Sequence, residues 1–403
     1  MKTQTISPTL QAPGITSEAV AGVQPKAASR LLFIDNIRVF LTVLVILHHL
    51  VVIYAGTGGW FWKEGRQDVI TESLGAWFTA VNHSYFMGLF LLVAAYFVPG
   101  SYDRKGAARF FKDRLVRLGI PLVVYSWLLR PLWIYVYLVK YQGLRLPLQS
   151  WYFQQYFRVY GWIGGGPLWF IEALLIFSAL YAFWRLLIPA RQNKPALETR
   201  FPGDGAIALF VLFVALASFM VRFWFPSDTV FEPLNFQLAD FPQYIALFIV
   251  GLVAYRRNWF HLMPESVGRR WLGVAVFLIL IFPPVAILGG ATENDLPFKG
   301  GWHWQAFIGA LWQSFLCVSM CLSLIYLFRR RFNRQGWLAA SLSRKAYTAY
   351  LIHEPVITFL ALLAVNINLY PLLKFTLMAL VATPLCFGLS SLIRRLPYAE
   401  QVL

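Results

Sequence analysis

Arg38 and His49 stand eleven residues apart inside the first long apolar stretch, FIDNIRVFLTVLVILHHLVVIYA. Eleven steps of about 100° turn a helix through about three full turns, so both side chains fall on one face, roughly 16 Å apart along the axis. Asp35, three residues before Arg38, shares that face approximately. A guanidinium and an imidazole are costly in hydrocarbon, so such residues are expected to face a bundle interior and mark a functional path. His49 also has the titration range of a general base near neutral pH. His48 points about 100° away and reads as a packing or supporting residue.

Further ionisable groups lie at related depths. Glu172 follows GGPLWFI near the outer end of the fourth apolar run, and His83 sits in WFTAVNHSYFMGLF in the outer part of the second. If the first run starts inside, His49, His83 and Glu172 are expected to share one pocket. There Glu172 would hold the imidazole and stabilise its protonated form. Each has a plainer reading: His83 as a hydrogen-bonded structural histidine, Glu172 as a carboxyl bonded to a neighbouring helix. No GxSxG motif is present, so a conventional serine hydrolase is not expected.

Two more constellations flank these. Arg114 and Arg117 form an R-x-x-R pair one turn apart at the mouth of the third run. Paired guanidiniums suit phosphate, although a basic topology anchor would look the same. SRKAYTAYLIHEPVI places His353 and Glu354 before Pro355, and a helix interrupted there would line a cavity.

The elements that must position these residues are membrane spans. The 403 residues are 59% hydrophobic and only 13% charged, where a soluble domain carries about a quarter charged residues. Ten apolar runs approach the roughly 20 residues a bilayer demands: 33–55, 76–98, 118–139, 167–189, 206–225, 241–256, 271–290, 304–328, 343–365 and 370–393. The sixth is short and the ninth is interrupted by Pro355. The fold expected is an all-α polytopic bundle of about ten transmembrane helices. Basic residues cluster in alternate connections: around Arg30, from Arg104 to Arg117, around Arg191, from Arg256 to Arg270, from Arg329 to Lys345, and at Arg394 and Arg395. The other connections hold Glu64, Asp68, Glu72, Asp228, Glu232, Asp240, Glu293 and Asp295. The positive-inside bias then places both termini in the cytoplasm.

The net charge of +17 is spent on this topology pattern rather than on one nucleic-acid-binding face, and no nucleic acid partner is expected. Cys317, Cys321 and Cys386 lie in apolar runs without metal-ligand spacing, so neither a disulfide framework nor a metal site is expected. Residues 1–29 read as a disordered cytoplasmic tail ahead of one transmembrane domain, 30–396. The segment YQGLRLPLQSWYFQQYFRVYGWIGGG, about 140–166, is aromatic and external, suited to a membrane interface or to stacking on a sugar.

Taken in order, these segments resemble the acyltransferase type 3 family of membrane O-acyltransferases, which includes bacterial O-antigen acetylases and periplasmic glucan succinyltransferases. Asp35-x-x-Arg38-x10-His49, Arg114-x-x-Arg117 followed by Pro121, LWFIEALL at 168–175, FPQYIALFIVGLVAYRR at 241–257 and AYTAYLIHEPVI at 346–357 carry the likeness. The chain departs from it in the second run, where LFLLVAAYFV puts Ala94 and Ala95 at a Ser-Gly position. The resemblance implies transfer of an acetyl or succinyl group from cytoplasmic acyl-coenzyme A to a hydroxyl of an extracytoplasmic carbohydrate or glycan, at the bacterial inner membrane. It implies His49 as base or acyl carrier with Glu172, Arg38 and Asp35. Arg114 and Arg117 would bind the donor, and His83, Trp169 and His353 the acceptor. A secondary transporter or flippase is the competing class, against which the lack of visible internal repeats counts.

Overall fold

The computed structural model describes residues 31–56, 58–64, 68–163, 165–188, 200–231 and 234–403. The expected N-terminal tail lies outside these, as do Arg30, Arg191 and Glu232. Within them the chain forms ten helices long and apolar enough to cross a membrane: α1 Leu32–Ala55, α2 Val69–Tyr96, α3 Val98–Tyr141, α4 Gly166–Leu187, α5 Asp204–Val221, α6 Leu238–Arg256, α7 Glu265–Leu288, α8 Trp304–Arg331, α9 Trp337–Leu363 and α10 Pro371–Ile393. Ten spans return the chain to the end from which α1 starts. The last turns of α4, α6 and α8 carry Arg185, Arg256 and Arg329–Arg331 there, so this is the basic end.

The polar turn Thr71-Glu72-Ser73 joins α2, which starts seven residues before the expected 76. Asp68 caps it: its Oδ1 accepts from the backbone N–H of Ile70 at 3.1 Å and Thr71 at 3.0 Å. These are donors that a helix start otherwise leaves unsatisfied. α1 lies at the centre, packed on α2, α8, α9 and α10. Burial within the protein covers 67% of its apolar window, against 11% for α7, which lies at the rim. Ile46, Leu50 and Ile53 of α1 meet Ala346, Ala349 and Ile357 of α9 and Ala382 of α10 in one core cluster. Small residues on the facing helices let backbones approach where lipid offers no hydrophobic drive for association. Gly251 of α6 does the same against α2: a Cβ there would stand 2.6 Å from the Cβ of Ala95 and 2.5 Å from the carbonyl oxygen of Leu92.

α3 is irregular for reasons visible in its residues. Gly106 takes φ 72°, ψ 170°, which breaks the helix between an initial arm and the crossing portion. Wide π-type turns follow at Leu115–Gly119 and Tyr125–Leu129. Pro121 and Pro131 come just after them; each lacks an N–H and crowds the carbonyl four residues back.

The ninth span is not interrupted at Pro355. α9 runs through it; what the proline removes is the N–H that would serve the Leu351 carbonyl, while nearby Thr358 Oγ1 donates to Glu354 O at 2.7 Å and His353 Nδ1 to Tyr350 O at 2.5 Å. The aromatic segment also differs from a simple interfacial belt. Trp151 and Tyr156 are about 1% exposed, packed with Trp133 and Ile134 of α3. The Tyr156 hydroxyl donates to Ser126 O at 2.7 Å. Phe153 and Trp162 face outward from the same segment.

Candidate active site

His49 sits six residues before the end of α1 at Ala55, about 9 Å from its tip opposite the basic end. Its Nδ1 lies 3.0 Å from Nε2 of His353 on α9, and the two rings stack with centroids 5.0 Å apart. The tautomers follow from the partners. His353 Nδ1 faces the carbonyl oxygen of Tyr350, so it must carry the hydrogen. In the neutral pair His353 Nε2 is then an acceptor and His49 Nδ1 donates to it. The lone pair of the His49 ring is left on Nε2. The contact chain thereby selects one nitrogen as the basic one.

Trp60, in the connection between α1 and α2, stacks on His49 with centroids 4.4 Å apart and 27° between planes. Its indole N–H donates to Thr358 Oγ1 of α9 at 3.2 Å. The connection is pinned at its far side, where Glu64 accepts from Lys374 of α10 at 2.5 Å. Lys374 is 1% exposed, a buried cation tolerable because it is paired. An indole face on an imidazole favours the protonated ring by cation–π attraction.

Beside His353, the Glu354 carboxylate accepts from the Tyr125 hydroxyl at 2.5 Å. Arg130 Nη1 donates to Tyr160 O at 3.2 Å, and its guanidinium lies 5.6 Å from the Tyr160 ring centre. Two glycines make room: a Cβ at Gly165 would overlap the Arg130 guanidinium and one at Gly166 the Glu354 carboxylate. The aromatic segment is thus tied to α9 next to the histidine pair.

A second polar group lies around His83. Its Nε2 is 2.9 Å from Asp240 Oδ2, and Asp240 Oδ1 accepts from Gln313 at 2.7 Å with Arg222 at 3.5 Å. His83 keeps 41% of its side chain open while Asp240 is 2% exposed, so the imidazole is the reachable member. His48 packs on Phe86 at 5.0 Å, turned from the His49–His353 contact.

The remaining predicted residues are distributed as follows. Glu172 is buried in the second turn of α4. Its Oε2 has no hydrogen-bond partner among the described residues, and the partner at the His49 ring is His353. Trp169, one turn earlier, stacks on Tyr244 of α6 at 5.4 Å. Tyr350 donates to the carbonyl of Pro167, which fixes the start of α4 against α9. Arg38 is not buried within the protein: 45% of its side chain is open, and it lies 3.8 Å from the mostly buried Asp35. It stands near the basic end of α1, where Asn36 donates to Phe332 O at 2.6 Å, and no hydrogen bond joins it to His49 among the described residues. Arg114 closes the first part of α3, with its guanidinium 5.1 Å from the Phe110 ring centre. Arg117 falls in the π-type turn that follows, so the pair departs from the regular one-turn spacing. The Arg117 carbonyl accepts from Tyr347 of α9 at 2.8 Å.

Trp60, Tyr125 and Arg130 were not singled out from the sequence, and Asp240 was read only as an acidic residue of a connection, whereas it is buried beside His83. An aromatic triplet, Trp60-Phe61-Trp62, in a short connection is the one local signal among them. The others gain meaning only through partners far along the chain.

Comparison with known proteins agrees with the motif order. The Acyltransferase domain family matches residues 31–391. Glucans biosynthesis protein C of Salmonella gallinarum (strain 287/91 / NCTC 13346) is 29% identical over 244 residues, covering 57% of this chain and 59% of that protein. The protein of the same name from Salmonella heidelberg (strain SL476) aligns with the same identity and coverage. The chain thus spans somewhat less than two thirds of the length of these relatives. No solved structure matches it. With a family match across nearly the whole described bundle and its motifs on α1, α3, α4, α6 and α9, the chain belongs to the acyltransferase type 3 family.

Proposed function

We propose that the protein is an integral membrane acyltransferase that moves an acetyl or succinyl group from acyl-coenzyme A to a hydroxyl of an extracytoplasmic carbohydrate. The observation that carries this reading is the His49–His353 pair beneath Trp60, which leaves His49 Nε2 as a directed base near the outer end of the bundle. The acceptor O–H gives its proton to that nitrogen and the oxygen attacks the thioester carbon. The C–S bond breaks, and the departing thiolate regains a proton. His353 and the Trp60 face support the imidazolium while it exists. Arg114 and Arg117, at the basic end, suit the donor's phosphates. Basic connections on one side support a cytoplasmic donor at a bacterial inner membrane. The name of the relatives, glucans biosynthesis protein C, supports a glucan-type acceptor.

The test has two parts. Purified protein in lipid vesicles receives acetyl- or succinyl-coenzyme A, and free thiol is measured with and without glucan. Envelope glycans are then compared by mass spectrometry with and without the gene. Acceptor-stimulated thiol release and loss of an ester-linked acyl group are expected. An intact acyl pattern with altered export would select a transporter instead. A stoichiometric burst of thiol without acceptor would mark His49 as an acyl carrier rather than a base.

A further inference from the structure

Away from the histidine pair, a cavity of about 720 Å³ lies between the start of α3 and the ends of α4 and α6. Its walls include Phe177 and Leu180 of α4 and Ile245 and Ile249 of α6. Leu180, Ile245 and Ile249 are 59%, 45% and 52% exposed, so the slot opens sideways on the surface that lipid covers. Its rim at the basic end carries Arg185, Arg256 and Arg257.

Among the described residues, the charges at the rim do not cancel. Asp103 accepts from Arg185 at 3.2 Å and from Arg256 at 2.5 Å. Both guanidiniums also reach the Tyr181 hydroxyl, at 3.1 and 3.2 Å. One carboxylate therefore serves two arginines. Arg257 is exposed with no ion pair among the described residues. Among those residues, three arginines face one carboxylate, a net positive rim above an apolar slot.

The dimensions decide the kind of occupant. Ile245 lies eleven residues from Arg256 on one helix, about 16 Å along its axis. One leaflet of hydrocarbon is about 15 Å deep, half of the roughly 30 Å core. A slot one leaflet long, apolar along its walls and cationic at the headgroup level, matches an amphiphile with an anionic head and acyl chains. We propose that this groove between α4 and α6 is a binding site for an anionic phospholipid of the leaflet at the basic end. The headgroup phosphate would lie at the exposed Arg257 beside Arg256, and an acyl chain along Leu180 and Ile249. The site is separate from the proposed chemistry and holds whether or not the acyl-transfer reading does.

The experiment uses the full chain, purified in mild detergent, with added phosphatidylglycerol or phosphatidylcholine and bound lipid counted by native mass spectrometry. Phosphatidylglycerol is expected to survive activation at which phosphatidylcholine is lost. Arg257→Gln, at an exposed position, is expected to lower its occupancy about fivefold, the factor for one cation near a charged lipid surface. Ile249→Trp, which fills the slot from a lipid-facing position, is expected to lower retention of both lipids. Equal retention of the two lipids by the wild type, or unchanged occupancy in both variants, would overturn the proposal. Displacement of the lipid by millimolar inorganic phosphate would reassign the rim to a soluble anion and overturn it as well.

Discussion

Replacing His49 by Ala removes the ring whose Nε2 is the free lone pair of the pair and deletes little apolar packing. Acyl transfer is expected to fall by about 10²–10⁴-fold, the range for a lost general base, with the protein still inserted. Steady-state thiol release in vesicles checks this, and a rate near wild type removes His49 from the chemistry. His353→Ala acts through His49: it leaves the ring but frees its tautomer and tilt. Its kcat should fall with KM for the donor nearly unchanged, since no donor-binding arginine touches it. Trp60→Leu tests the stacked face. Loss of a cation–π contact worth about 1–2 kcal/mol predicts a drop in kcat of roughly tenfold, while a drop confined to KM would make Trp60 an acceptor platform instead. His49 stood out as a candidate base from one helix, because Arg38, Asp35 and His49 share a period. Its partner did not. His49 and His353 are 304 residues apart in sequence, and nothing local distinguishes His353 from His83 or Glu172 as the group that meets the ring. Glu172 was attractive because its depth matched. Depth fixes only one coordinate, however, and helix rotation and neighbour order fix the others.

At the scale of elements, the ten spans were legible because hydrophobic length is a strong constraint in lipid. Their starts and breaks were less so. Polar residues joined α2 once Asp68 capped it, and α9 runs on through Pro355. The Asp68 cap carries a pH prediction. Its carboxyl is held down to about 2, chiefly by the Thr71 hydroxyl, with that of Tyr370 contributing less. The folded value lies below the unfolded one of about 3.9. The stabilisation is therefore complete above about pH 4 and is lost as pH falls through about 2. Asp68→Ala should lower the melting temperature in detergent at neutral pH, and the gap to wild type should narrow between pH 4 and pH 2; a pH-independent gap would deny the charge a part. The α2–α6 contact gives a second prediction. Ala95 stands where the family resemblance expects a Gly, and Gly251 on the facing helix supplies the room. Gly251→Val should cost about 1–3 kcal/mol by overpacking, seen as earlier thermal unfolding. A melting temperature equal to wild type would mean the helices part freely there.

Across the whole molecule, the two chemistries the proposal needs stand at opposite ends of one bundle. His49 and Trp60 lie near the C-terminal tip of α1, while Arg114 and Arg117 lie on α3 toward the end where α4, α6 and α8 finish in arginine. Such an arrangement serves a donor and an acceptor held on different sides of the membrane, and it works only if the basic end faces the cytoplasm. That orientation follows from charge alone, so it calls for a direct test. Cys317, Cys321 and Cys386 are buried, which leaves an introduced thiol as the reactive one for an impermeant reagent. Arg109 is exposed in the first part of α3, and Trp162 is 59% exposed between α3 and α4. In intact spheroplasts Trp162→Cys should label with an impermeant maleimide, whereas Arg109→Cys should label only after the membrane is opened. The reverse pattern would put the arginine pair outside, away from any cytoplasmic thioester, and the acyl-coenzyme A reading would fail with it, however well the histidine pair is built.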